Sequence, residues 1–251
     1  MFDCVKGKLV ATPEADRLFG LVSNVFDHVE RLRHVAENLR ASDVGKVRIA
    51  ATPAFGVDLL PAAVSSYLEE HSDTVFEIET LHHDEIAGAL LDSRIDIGLA
   101  FDSTPVPGLA SETLANDEFV VIAPQNTDLG GNDRVSIDEL AGLPFIGLSG
   151  RGPLGRLLTS YLEKSGVDLN MIVFTETYQI AKALVAKGSG VSIVDAITAR
   201  STERDNVRRW LLDPPLRYSI DVLHSGSMPP SILCRRFVKH LKSVIGQYLH
   251  H

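Results

Sequence analysis

From Val47 onward, runs of strand type and runs of helical type alternate, which restricts the chain to an α/β architecture with largely parallel sheets. The strand-like runs are Val47–Ala51, Val75–Leu81, Ile95–Phe101, Phe119–Ala123, Phe145–Leu148, Met171–Thr175, Val191–Asp195 and Tyr218–Leu223. Helical periodicity covers about Val57–Glu70, Asp84–Leu91, Pro153–Ser165, Tyr178–Lys187 and Pro230–Tyr248. The first unit shows the logic. A β-branched run at Val47–Ala51 leads through Thr52-Pro53-Ala54 into an apolar 3.6-period segment, with Pro61 in the first turn, where its missing N–H costs little. Such a strand–loop–helix aims backbone N–H groups and the positive helix end at whatever lies over the loop. There are more elements than one small sheet needs. A break is therefore expected near Ala123-Pro124, where Gln125–Arg134 turns polar and Gly-rich, and the last helix reads as a cover returning to the first half.

A chain of 251 residues, 45% hydrophobic and 23% charged, can build one large domain or two medium ones around a real core. Its formal charge of −9 argues against nucleic acid binding by the bulk of the chain. The two cysteines, Cys4 and Cys234, match no ligand spacing and read as reduced thiols. No apolar run is long enough to span a bilayer and no signal peptide opens the sequence, so the expected location is the cytoplasm.

Residues 1–11 read as a two-stranded element, Phe2 to Val5 and Leu9 to Ala11, turned by Lys6-Gly7-Lys8. Thr12-Pro13-Glu14 then has the form of a helix start, with Thr as N-cap, Pro at the first position and acidic residues in the first turn. In that helix Leu18, Val22, Val25, Val29, Leu32, Ala36 and Leu39 recur at 4-3-4-3-4-3, a heptad stripe flanked by polar positions. At about 1.5 Å per residue it would run roughly 40 Å. A narrow apolar seam on so long a helix calls for a second copy, the alternative being packing against the chain's own domain. Ser42-Asp43-Val44-Gly45 ends it as a linker.

Four segments in order carry a family pattern: Gly45-Lys46-Val47-Arg48-Ile49-Ala50 after the long helix, Ser93-Arg94-Ile95-Asp96-Ile97-Gly98-Leu99-Ala100, Asp138-Glu139-Leu140-Ala141 before Pro144-Phe145-Ile146, and Ala183–Val194 with its Lys187-Gly188-Ser189-Gly190 turn. Together they resemble the effector-binding domain of LysR-type transcriptional regulators, over essentially the whole chain. The N-terminal Phe2–Ala15 resembles the wing of that family's winged helix-turn-helix and its linker helix, in the style of the subgroup regulating lysine biosynthesis and opine catabolism. The helix-turn-helix itself is absent from this sequence.

The resemblance implies a type 2 periplasmic-binding-protein-like fold of two Rossmann-like subdomains behind a long dimerisation helix. The expected division is a wing remnant at 1–11, a linker helix at 12–44 and an effector-binding domain at 46–251. Within the last, subdomain I takes about 46–123 and 224–251, and subdomain II about 124–223. It implies an effector in the cleft between them, a homodimer or homotetramer, DNA contact only through the helix-turn-helix, and no cofactor or membrane partner.

Loops at the carboxyl ends of strands should line that cleft. Thr52, Pro53 and Ala54 offer a hydroxyl and N–H groups to a carboxylate, unless Thr52 merely caps or turns the chain. Phe101 is either wall or core, with Asp102 beside it. Ser149, Gly150 and Arg151 form the most informative loop, whose glycines permit close approach and whose Arg suits a carboxylate, or else stands exposed in a turn. Thr177 either reaches the ligand or caps a helix; Asp195 either holds a ligand amine or caps Ala196–Arg200. Hydroxyls, N–H groups, one Arg and one or two Asp suit a small carboxylate or amino-acid-like molecule.

His82-His83-Asp84-Glu85 is the one cluster with metal or acid–base residue types, but adjacent His on a strand face opposite ways, and the segment reads as a helix start capped by Asp84. No Gly-x-Ser-x-Gly, Walker A or dinucleotide fingerprint occurs, so no catalytic constellation supports an enzyme. Arg208-Arg209-Trp210, Arg235-Arg236 and Lys239 read as solvated faces. The competing class is a solute-binding protein of a transporter, which would be monomeric and exported.

Overall fold

The computed structural model describes residues 2–5, 8–15, 17–19, 21, 22, 25, 29, 45–130, 133–201 and 206–250. Strands β1 (Phe2–Val5) and β2 (Lys8–Ala11) form an antiparallel hairpin pairing Phe2 with Ala11. The Thr12 hydroxyl then accepts from the Ala15 N–H at 3.3 Å, the cap expected of a Thr-Pro helix start. Every described position from 13 to 29 is helical. Leu18, Val22, Val25 and Val29 are all exposed on the single chain, whereas Leu32, Ala36 and Leu39 lie outside the described residues.

The body follows as β3 (Gly45–Ala51), α1 (Pro53–Gly56), α2 (Leu59–Glu70), β4 (Thr74–Thr80), α3 (His83–Leu91), β5 (Ile97–Phe101), β6 (Leu109–Glu118), β7 (Val120–Pro124), β8 (Arg134–Ser136), β9 (Pro144–Leu148), α4 (Gly152–Ser165), β10 (Asn170–Thr175), α5 (Tyr178–Ala186), β11 (Ser192–Val194), α6 (Ala196–Arg200), β12 (Val207–Asp213), β13 (Arg217–Ser225) and α7 (Ile232–His250). One sheet has the order β4-β3-β5-β13-β6. A second has the order β11-β7-β12-β8, and the parallel pair β9–β10 joins it through a bridge from Phe145 to Val191. Two α/β units of this kind make the type 2 periplasmic-binding-protein-like fold.

The central strands form where their sequence can be buried. All of β5 is buried, as suits a strand covered on both faces, and Gly98 within it lets Ile86 of α3 approach so closely that a Cβ would stand 2.4 Å from it. Helix α7 buries Leu233, Phe237, Leu241 and Ile245, one stripe at four-residue steps, against α2. There Phe237 meets Tyr67 edge-on at 5.3 Å and Phe76 at 4.8 Å. The last helix therefore does return to cover the first sheet.

Three expectations need correction. The sheets are mixed rather than largely parallel: β13 runs antiparallel to both β5 and β6, and β7 antiparallel to β11 and β12. The chain also passes between the sheets earlier than expected. Strand β7, assigned to the first half, pairs in the second sheet, and β13, assigned to the second half, pairs in the first. The passages lie at Phe119 and just before Arg217, where the Phe119 N–H donates to the Leu216 carbonyl at 2.9 Å. Polarity after Ala123 misled the sequence reading because it marks a loop beyond β7, not the passage itself.

Finally, β6, β8 and β12 carry little apolar alternation and went unread. Arg208-Arg209-Trp210 lies on β12, with Trp210 buried and the Arg208 guanidinium 4.8 Å above its ring, so it is not simply a solvated face. Cys234 is buried, which pushes its thiol up to about 12 and keeps it protonated. Among the described residues no helix is long and apolar enough to cross a membrane.

Candidate ligand cleft

Between the two sheets lies a cavity of about 490 Å³. Its walls come from loops that follow parallel strands, where ligands collect in open α/β sheets. The first sheet contributes Thr52, Pro53 and Ala54 after β3, His82–Glu85 after β4, and Phe101 from β5. The second contributes Ser149–Arg156 after β9 and Glu176–Gln179 after β10. Thus Thr52, Pro53, Ala54, Phe101, Ser149, Gly150, Arg151 and Thr177 meet in one place, although the two walls come from separate stretches of the chain.

The polar atoms on this wall are the telling feature. Thr52 Oγ1, His83 Nδ1, Ser149 Oγ, Tyr178 OH and both amide atoms of Gln179 are buried without a hydrogen-bond partner among the described residues. A buried polar group left unpaired costs about 1–3 kcal/mol, so such groups are ordinarily satisfied. Here they gather on one cavity. Thr52 and Thr177 hold the N-cap positions of α1 and α5, yet neither side chain makes a cap bond. Neither residue therefore acts as a side-chain cap, although the Thr52 carbonyl accepts the Phe55 N–H and so turns the chain. The N-terminus of α4, at Arg151, likewise has no side-chain cap. Helices α4 and α5 therefore present unsatisfied N–H groups and positive ends to the same space.

Local sequence explains the loop at Ser149. Gly152 has φ +68°, a conformation that favours glycine, and Gly155 leaves room for the Ser149 carbonyl against the first turn of α4. Arg151 stands on the rim, largely exposed, and pairs with Glu176 at 3.1 Å. Arg156, one turn further, also lines the cavity and makes no ion pair among the described residues.

Both aspartates expected in the cleft are elsewhere. Asp102, at φ +45°, donates its N–H to the Ser219 carbonyl on β13 and accepts the Ser219 N–H at its carboxylate, both at 3.0 Å, so it fixes the end of β5. Asp195 is fully buried and accepts from the Thr198 N–H at 2.8 Å, which makes it the cap of α6 rather than a ligand for an amine. Burial pushes its carboxyl up to about 6, against the bonds to Thr198 that favour ionisation, and Asp117 adds to the rise. Phe101 is both wall and core: it lines the cavity and stacks on Phe55 at 4.4 Å.

The buried titratable groups of the wall are uncharged. Burial, with the Arg156 charge, holds the His83 imidazole below its usual range despite the raising effect of Asp84 and Asp221, so it is uncharged at pH 7. Burial and the neighbouring Asp195 keep the Tyr178 phenol far above its usual value. Helix α3 begins at His83, one residue before the expected start, with the Glu85 carboxylate accepting from the His82 N–H at 2.8 Å, so Asp84 is not the cap. Among the described residues no group of three or more His, Cys, Asp or Glu is placed to hold a metal ion. Sequence reasoning missed His83, Tyr178, Gln179 and Arg156 as lining residues. Following each helix one turn past the loop would have found the last three.

Residues 40–246 match the family described as LysR substrate binding domain. The HTH-type transcriptional regulator DgcR of a Pseudoalteromonas species is 31% identical, covering 98% of this chain and 84% of its own length. The transcriptional activator protein LysR of Escherichia coli is 28% identical over 97% of this chain and 78% of its own. Among solved structures, CbnR, a LysR family transcriptional regulator, superposes with a TM-score of 0.71 at 16% identity, covering 96% of this chain and 83% of that one, a likeness of fold.

Proposed function

Because the chain belongs to the LysR family of transcriptional regulators, whose members bind small effectors, oligomerise and bind DNA, we propose that its inter-sheet cavity is the sensor of such a regulator. Members of this family are regulators and not enzymes, and the regulator reading stands over that of a transporter's binding protein. The effector we place here is a small carboxylate or amino-acid-like molecule, held by Thr52, Pro53, Ala54, Ser149, Gly150, Arg151 and Thr177 with Phe101 as wall. The single observation that carries this is the gathering of unpartnered polar atoms on one cavity between two sheets. A ligand that satisfies atoms on both walls prefers the closed arrangement, and that difference in affinity is what moves the hinge at Phe119 and Leu216.

In this reading the hairpin within 1–11 is the wing of a winged helix-turn-helix and 12–44 is the linker helix that pairs two or four copies through Leu18, Val22, Val25, Val29, Leu32 and Leu39. The unit 46–251 senses, and a helix-turn-helix contacts DNA in the cytoplasm. Thermal-shift measurements against carboxylates, opines and amino acids test it. A stabilising ligand whose effect is lost in Ser149→Ala or Thr52→Val is the expected result, and ligands indifferent to both changes would sink the site.

A further inference from the structure

Resting on the cleft as the effector site, we infer that the effector is bound as an anion without a free ammonium group: a dicarboxylic, hydroxy or oxo acid rather than an α-amino acid. Three observations lead there. The uncapped N-termini of α4 and α5, helices of 14 and 9 residues, both open on the cavity and favour negative charge. Beside them the hydroxyls of Thr52, Ser149 and Tyr178 are buried and unpartnered, each able to donate to a carboxylate. Third, no buried carboxylate lines the cavity: Asp102 is bonded to Ser219, Asp195 caps α6, and Asp84, Glu85 and Glu176 are exposed.

The acidic groups that do line the cavity stand at its rim. Glu176 pairs with Arg151 at 3.1 Å, while Glu85, which accepts the His82 N–H at 2.8 Å, Asp84 and Arg156 make no ion pair among the described residues: two negative charges and one positive, all exposed to water. An ammonium drawn inside would be desolvated against neutral groups and two positive helix ends, a costly position for a cation. A second carboxylate, by contrast, finds Arg156 at the rim and the Gln179 amide on the wall. The cavity, at about 490 Å³, has room for both ends of such a molecule.

The test uses pairs of acids that differ by the ammonium alone: succinate against L-aspartate, glutarate against L-glutamate, and adipate against 2-aminoadipate, titrated calorimetrically into the full chain. The diacid of at least one pair should bind about tenfold or more tighter than its amino partner, a difference of roughly 1.4 kcal/mol or more, and Ser149→Ala and Thr52→Val should weaken it. Equal or tighter binding of the amino member overturns the inference while leaving the cleft intact as effector site. If that binding also disappears in Asp84→Asn, the amine is read at the rim. Binding of neither member of any pair, or binding untouched by Ser149→Ala and Thr52→Val, overturns the cleft reading itself and the inference with it.

Discussion

A Cβ placed on Gly155 would stand 2.7 Å from the carbonyl oxygen of Ser149, closer than real Cβ atoms approach, so helix α4 and the loop that presents the Ser149 hydroxyl are fitted to each other. In an ordinary helix Gly→Ala stabilises by roughly 1 kcal/mol. Here the clash meets backbone and has no flexible end to yield, so overpacking wins, at about 1–3 kcal/mol. Gly155→Ala should lower the melting temperature and reduce any effector-induced rise; a gain in stability would show that the loop is free to move.

Ser149→Ala and Thr52→Val should behave in the opposite way without ligand. Each removes a buried hydroxyl that has no partner among the described residues, and deleting such a group relieves a desolvation cost. Unliganded melting temperatures should hold or rise slightly, while the ligand-dependent shift shrinks. Differential scanning fluorimetry with and without effector reads both. A large loss of stability in the empty protein would mean these hydroxyls serve the fold.

Asp195 supplies a pH dependence. Its carboxyl is raised from 3.8 to about 6 on folding, chiefly by burial. A raised carboxyl is a stabilising term fully present below pH ~4, and it is lost as pH rises through 6, at most about 3 kcal/mol. Asp195→Asn keeps the acceptor for the Thr198 N–H and removes the charge. It should melt higher than the parent at pH 8, with the gap closing toward pH 4. A gap that does not change with pH would refute buried ionisation at this position.

Val25 and Val29 are 62% and 55% exposed on the single chain. Charging them therefore costs the monomer little, whereas a heptad seam between copies loses its apolar contact. Val25→Asp with Val29→Asp should leave the melting of the α/β body unchanged and lower the mass found by light scattering. An unchanged mass would remove this stripe from the interface.

Much of the sensor's fold is legible in the sequence because its central strands and covering helices bury one continuous set of residues. The all-buried β5 and the four-residue stripe of α7 announce themselves by periodicity alone. Strands β6 and β12 do not. The first is mostly polar along a sheet edge, and the second interleaves two arginines with a buried Trp, so both owe their conformation to partners distant in the chain.

The site divides along the same line. That Thr52, Ser149 and Thr177 follow strands and precede helices is local information, carried by β-branched runs, prolines and glycines, and the sequence by itself determined it. Which of the candidate side chains meet was decided only by the tertiary structure. Asp195 and Thr177 both stand at helix caps in the sequence, yet one closes its own helix in the core while the other leaves its helix open to the cleft. The difference comes from the order in which the sheets stack and from the passages at Phe119 and Leu216. Long-range hydrogen bonding fixes both, and no local pattern encodes it.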